Sequence, residues 1–171
     1  KLGMEVYGYD PYISVDAAWG MSKWVKNAQN MDTIFSECDY ITLHAPSTPE
    51  TKAMINQESI AKMKDGVRII NFARADLVDS QAVLEGIQKG KIKKYITDFA
   101  TEDIIDQKDV IVMPHFGAST PESEDNCAIM AVKEMQDYLE NGNITHSVNF
   151  PSVHEPRTTK YRIFLLHKNV T

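Results

Sequence analysis

The sequence predicts an α/β fold, a doubly wound parallel sheet covered by helices, and two observations carry that expectation. Short β-branched or aromatic runs alternate with longer amphipathic ones, which is how parallel strands joined by helical crossovers read in sequence. Each apolar run also closes on polar or charged residues, at the place where an open parallel sheet binds its ligands.

The apolar runs at 4–10 (MEVYGYD), 40–46 (YITLHAP), 67–73 (VRIINFA), 94–100 (KYITDFA) and 110–115 (VIVMPH) are five candidate strands. Between the third and fourth, residues 79–90 begin at Asp79 as a helix N-cap, repeat apolar side chains at Val83, Leu84 and Ile87, and stop at Gly90. Residues 31–38 and 56–66 are shorter helical candidates, the second closed by Gly66. The longest helix should run over 121–141, with Thr120 as N-cap, Pro121 at the first helical position and Gly142 just past the end. Ala128, Ile129, Val132, Met135 and Leu139 then share one apolar face, open to another domain or a second subunit. Residues 143–160 hold two prolines and no helical period, so they read as an extended linker. The run YRIFLLHKNV at 161–170 starts a further strand with no partner left in the chain. The expected domains are therefore 1–142, a linker over 143–160, and the opening strand of another domain at 161–171.

Composition narrows the function classes. With 171 residues, 43% hydrophobic and 25% charged, the chain reads as an ordinary globular protein. A net charge of −6 and scattered basic residues argue against a nucleic-acid surface. The densest basic run, KGKIKK at 89–94, reads as a solvated connection. Cys38 and Cys127 lie far apart with no metal or redox spacing, which suits reduced thiols in a cytoplasmic protein. The N-terminus lacks a signal-peptide pattern and no apolar run reaches membrane-spanning length, so no membrane role is expected. No serine-hydrolase elbow, Walker loop or metal-ligand cluster is present.

The residues ending the strands carry the chemistry. Asp10 closes the first; it could accept both ribose hydroxyls of an adenosine, which would favour NAD over NADP, or equally begin a turn with Pro11. Arg74 follows the third run, where a guanidinium could grip a carboxylate in two-pronged geometry, although such an arginine is more often a surface ion-pair partner. His115 closes the fifth, and Glu102 follows the fourth. Adjacent strands could bring the two together, the carboxylate fixing the tautomer of an imidazole that exchanges a proton near neutral pH. The stretch TEDIIDQKD contains other acids, and spacing alone does not select Glu102. His44 also ends a strand but reads as structural, in a proline-bearing wall.

Five stretches, YGYDP, CDYITLHAPSTPETKAMI, GVRIINFARADLVD, DFATE and PHFGASTPES, resemble in order and spacing the D-isomer-specific 2-hydroxyacid dehydrogenase family, most closely its phosphoglycerate dehydrogenase branch. The resemblance covers about residues 1–150. It implies a Rossmann-type sheet with NAD as cofactor and a small 2-hydroxy acid as substrate. Arg74 would hold the substrate carboxylate, His115 would be the acid/base, and Glu102 would pair with His115. Asp10 would bind the adenosine ribose. Ala45, Pro46, Ala73, Asp98, Gly117 and Ala118 would lie around the cofactor, bordered by Arg74 and His115. The segment 143–171 is similar to the connection to an ACT-type regulatory domain and that domain's first strand, which favours 3-phosphoglycerate as substrate and serine biosynthesis as pathway. The intact enzyme would be a homo-oligomer. The rival readings are a hydroxypyruvate, glyoxylate or D-lactate enzyme of the same family, and a non-catalytic NAD-sensing protein of the same fold.

The chain departs from the family pattern in four places. Its G-x-G-x-x-G loop is absent, the chain opening at what should be the tail of the following helix, and the N-terminal substrate domain is absent with it. Arg74-Ala75 stands where the family has Arg-Gly. The family's aspartate sits one residue further from the glutamate than Asp98 does from Glu102, a place that falls on Thr97.

Overall fold

The computed structural model describes residues 3–165 and 167, and forms two compact units, Lys1–His115 and Phe116–Thr171. Every strand among the described residues lies in the first unit. β1 (Val6–Gly8) pairs in parallel with β2 (Val25–Asn27), the two joined through α1 (Val15–Gly20). α2 (Met31–Glu37) then leads into a parallel four-stranded sheet in the order β3 (Tyr40–Leu43), β4 (Val67–Asn71), β5 (Ile92–Thr97) and β6 (Val110–Val112). α3 (Gln57–Lys62) links β3 to β4, and a 3-10 turn at Ala75–Leu77 and α4 (Ser80–Gln88) link β4 to β5.

The five strands expected between residues 4 and 115 are all present, each shorter than its apolar run. Two elements, α1 and β2, were not expected. Each is short, and the VKN of β2 has no alternation for a pattern to detect. The expected single sheet is instead two sheets of two and four strands.

Burial explains why the longer strands form where they do. β4 alternates between buried Val67, Ile69 and Asn71 and half-buried Arg68 and Ile70. Ile41, Leu43, Ile92 and Tyr95 join the same core, with Phe35, Ile55, Ile60 and Val83 against them. α4 is capped as its sequence predicts: the Asp79 side chain accepts a hydrogen bond from the Ala82 amide, and Gly90 takes positive φ just beyond the end. It also packs closely on β5, since a Cβ on Gly86 would stand 2.7 Å from Ile92 Cδ1. α3 starts on a reciprocal capping box between Asn56 and Ser59.

The second unit is built on α5, Pro121–Asn141, which has the predicted bounds. Thr120 Oγ1 accepts from the Ser123 amide, Pro121 opens the helix, and Gly142 ends it in the left-handed conformation at φ 70°. Past Gly142 the chain is irregular, tied by an antiparallel bridge between Ile144 and Val153. The guanidinium groups of Arg157 and Arg162 donate to the terminal carbonyls of Glu140 and Asn141. The expected strand at 161–170 is not formed over 161–165; a strand needs a neighbour for its backbone groups, and none pairs with it among the described residues. Residues 166 and 168–171 of that expectation lie outside the described residues.

Candidate functional site

β3, β4, β5 and β6 are parallel neighbours, so their carboxyl ends rise side by side, and the polar residues that close them form a row. At the end of β3 and β4, His44, Ala45, Pro46, Phe72, Ala73 and Arg74 line an open cleft. The cleft wall is set by Asn71, the fully buried last residue of β4. Its carboxamide donates to the Arg74 carbonyl at 2.8 Å and accepts from the Ala73 amide at 3.1 Å, turning the chain sharply as it leaves the sheet. Arg74 thereby emerges in extended conformation, exposed, with one guanidinium nitrogen donating to the Ala73 carbonyl at 2.7 Å. Its remaining N–H groups are available for a ligand.

Asn71 pairs in register with Thr97, the fully buried last residue of β5. Burial pushes the Tyr95 phenol up, and the neighbouring Thr97 and Asn71 side chains pull it the other way. A small polar layer thus lies directly beneath the strand ends. Beyond Thr97 the chain turns as the Phe99 amide donates to Thr97 Oγ1, at 3.2 Å. The Met113 amide donates to the Thr97 carbonyl at 2.8 Å, extending the β5–β6 register past the strand, so that Met113 and Pro114 run beside Asp98 and Phe99 and His115 follows them.

His115 Nδ1 lies 3.1 Å from Asp98 Oδ2, with the imidazole 57% exposed and the carboxylate only 12% exposed. The Phe99 ring packs on the imidazole at a centroid distance of 5.1 Å. The carboxylate expected beside His115 was that of Glu102; the one found there is Asp98. Glu102 is exposed on the loop after β5, and that loop is drawn toward α4 instead. Its Asp103 accepts from the Ser80 hydroxyl, from Thr101 Oγ1 at 2.5 Å and from Gln81 Nε2 at 3.4 Å, while Ile104 is buried in the core. These bonds hold the Asp103 carboxyl below the usual carboxylate range, the Ser80 hydroxyl contributing most.

The remaining expected residues fall as follows. Asp10 lies past β1, on the two-stranded sheet, exposed and accepting from the Tyr12 amide at 2.9 Å, so it forms the turn that its Pro11 suggested. Gly117 and Ala118 form a turn at the start of the second unit, with open space where a Cβ on Gly117 would stand. His44 Nε2 lies 3.1 Å from Thr42 Oγ1. Thr97, the last residue of β5, is fully buried. Asn71 was missed in the sequence because it sits in an apolar run and reads as strand; a polar residue at the last position of a buried strand was the available signal.

A dinucleotide cofactor fits this rim on one observation in particular. Asp98 Oδ1 is buried with no hydrogen-bond partner among the described residues, an acceptor left for a donor from a ligand. Beside it the cleft wall at Ala45, Pro46 and Ala73 is apolar and small, as a flat ring system requires. No group of His, Cys, Asp and Glu able to hold a metal ion occurs among the described residues.

Comparison with known proteins points the same way. The chain is 36% identical over 170 residues to the D-3-phosphoglycerate dehydrogenase of Synechocystis sp., covering 96% of this chain and 30% of that protein. Among solved structures it is similar to the apo D-lactate dehydrogenase of Escherichia coli, at 31% identity and a TM-score of 0.64, over 82% of this chain and 44% of that one. It is also similar to the D-lactate dehydrogenase of Aquifex aeolicus complexed with NAD and lactic acid, at 29% identity and a TM-score of 0.63, over 81% and 47%. The chain therefore spans less than half the length of each. Residues 1–117 match the NAD binding domain of the D-isomer specific 2-hydroxyacid dehydrogenases, and the chain belongs to that family.

Proposed function

We propose that this chain contributes the cofactor-binding and acid/base side of an NAD-dependent oxidation of a 2-hydroxy acid, specifically 3-phosphoglycerate to 3-phosphohydroxypyruvate. The observation that carries this reading is the row of Arg74, Asp98 and His115 beyond the ends of the adjacent strands β4, β5 and β6. The guanidinium of Arg74 pairs with the substrate carboxylate and so fixes the position of the neighbouring carbinol carbon. His115 takes the proton of the carbinol hydroxyl, and Asp98 offsets the positive charge that the ring then carries. NAD, when bound, supplies the hydride acceptor. Ala45, Pro46 and Ala73 would hold it against the cleft, Asp98 Oδ1 would accept a donor from it, and Asp10 would take its ribose hydroxyls.

The phosphorylated substrate is favoured over lactate by the 36% identity to a D-3-phosphoglycerate dehydrogenase along nearly all of the chain. The D-lactate dehydrogenase structures, at 31% and 29% identity, support the second reading, a D-lactate-type enzyme. The further assignment of residues 161–171 to the first strand of an ACT-like domain belongs to the same proposal and rests on the sequence resemblance alone.

The decisive experiment is His115→Ala in the intact enzyme. Loss of a general base should lower kcat by about 10² to 10⁴, and near-normal turnover would remove His115 from the reaction. A panel of 3-phosphoglycerate, D-lactate, glycerate and glycolate, ranked by kcat/KM, separates the phosphorylated substrate from its rivals.

A further inference from the structure

The cleft at the ends of β3 and β4 has two walls, Ala45-Pro46 after β3 and Phe72-Ala73-Arg74 after β4. The paired register holds the two strands together as far as Leu43 and Asn71, and beyond these residues the walls need other contacts. Asp76, on the 3-10 turn two residues past Arg74, supplies two of them. Its carboxylate accepts from the hydroxyl of Ser47, the residue after Pro46, at 2.5 Å. Its backbone carbonyl accepts from the Ala53 amide at 2.8 Å, where the same loop returns. Ala53 holds a left-handed φ of 50°, unfavourable for a residue with a Cβ, and the bond to Asp76 helps to retain it. From there the two segments run on in parallel, the Ile55 amide donating to the Leu77 carbonyl at 3.0 Å and Ile55 pairing with Val78. The loop is also stiffened from within, as Thr51 Oγ1 donates to the Pro46 carbonyl at 2.6 Å and accepts from the Thr48 amide at 2.9 Å. One residue of the Arg74 segment thus holds both ends of the loop that follows Pro46.

We propose that Asp76 and Ser47 form a positioning pair that sets the width of the cofactor cleft, Asp76 acting through Ser47 on the Ala45-Pro46 wall. The inference rests on the proposed function for the occupant of that cleft, NAD. A flat ring system entering a cleft whose walls are already held apart at the right width loses less free energy to ordering than one that must gather a loose wall. The bond is of the stronger, charge-assisted kind, a hydroxyl donating to a carboxylate. Both partners are exposed, so the pair adds little to global stability, and its effect falls on the opening between the walls. The two attachments are separable. Removing the Asp76 side chain frees the loop where it adjoins Pro46, while the backbone carbonyl keeps its hold on Ala53.

The test uses the full-length enzyme and NAD. In calorimetric titrations, Ser47→Ala and Asp76→Ala should each raise the dissociation constant for NAD roughly three- to tenfold, the scale of one net hydrogen bond. The double variant Ser47→Ala/Asp76→Ala should be no weaker than the more affected single variant, because both substitutions remove the same bond. Asp76→Asn keeps an oxygen that can accept from the Ser47 hydroxyl and should recover most of the affinity, a rescue that a general folding defect would not give. KM for NAD should follow the dissociation constants, with a much smaller change in kcat. Unchanged affinity in both single variants, effects that multiply in the double variant, or Asp76→Asn as weak as Asp76→Ala would overturn the inference. If the unsubstituted enzyme binds no NAD, the proposed function fails and this inference with it. Full affinity in every variant removes this inference alone.

Discussion

Asn71 shows how one side chain sets a site without facing a ligand. It is fully buried, and both ends of its carboxamide are used on the backbone of the next three residues. Those two bonds replace ladder bonds that end with the strand, and they fix the direction in which Arg74 leaves the sheet. Asn71→Ala would leave the Ala73 amide and the Arg74 carbonyl without partners beside the core, at about 1–3 kcal/mol for an unsatisfied buried group. The expected result is a lower urea midpoint with unchanged slope, and a raised KM in the intact enzyme through a displaced Arg74. An unaltered midpoint would show that water replaces the carboxamide at no cost. Arg74 was legible in the sequence because a lone guanidinium at the end of an apolar run is conspicuous. Asn71 was not, because its work is done by burial, which the run VRIINFA does not reveal.

The loop between β5 and β6 is the element in which sequence and structure part. Its acids read alike in TEDIIDQKD, and tertiary bonds sort them. Asp103 anchors the loop to the first turn of α4 through Ser80 and Gln81, and its carboxyl is held below the usual range chiefly by the Ser80 hydroxyl and then by Thr101. A carboxyl whose folded value is depressed stabilises the fold above its unfolded value, near pH 4, and that contribution is lost as pH falls through the folded value. The anchor should therefore weaken below about pH 4. Urea midpoints of the protein and of Asp103→Asn should differ at pH 7 and converge in acid; midpoints that stay parallel from pH 7 to pH 3 would show that Asp103 adds nothing. Helix ends were far more legible. α4 and α5 begin and end where Asp79, Gly90, Thr120, Pro121 and Gly142 place them, because a cap is a local bond between residues three or four apart. The partner of an imidazole across two strands is a matter of register, which no local pattern contains.

At the scale of the molecule, the parallel arrangement was readable from the alternation of strand and helix, while the break between the β1–β2 pair and the four-stranded sheet was not, since periodicity says nothing of which strands are neighbours. Burial is equally uneven. Every buried hydrophobic residue among those described lies between Ala28 and Ile104, in the first unit. α5 buries none of its 21 residues, and Val132 and Leu139 on its apolar face are 64% and 74% exposed. What holds it is local: the Thr120 cap, the Gly142 turn, and the arginines at its last carbonyls. Helices supported mainly by such terms are marginal in water, because most helical stability in proteins comes from packing an apolar face. In the 171-residue chain the two units should therefore open at very different free energies. Hydrogen exchange should find the amides of Ile69 and Ile70 in β4 protected to the level of global unfolding, and those in the middle of α5 exchanging faster by about two orders of magnitude or more. Equal protection in β4 and α5 would mean that the apolar face of α5 is covered in solution, and that the chain opens as a single cooperative body.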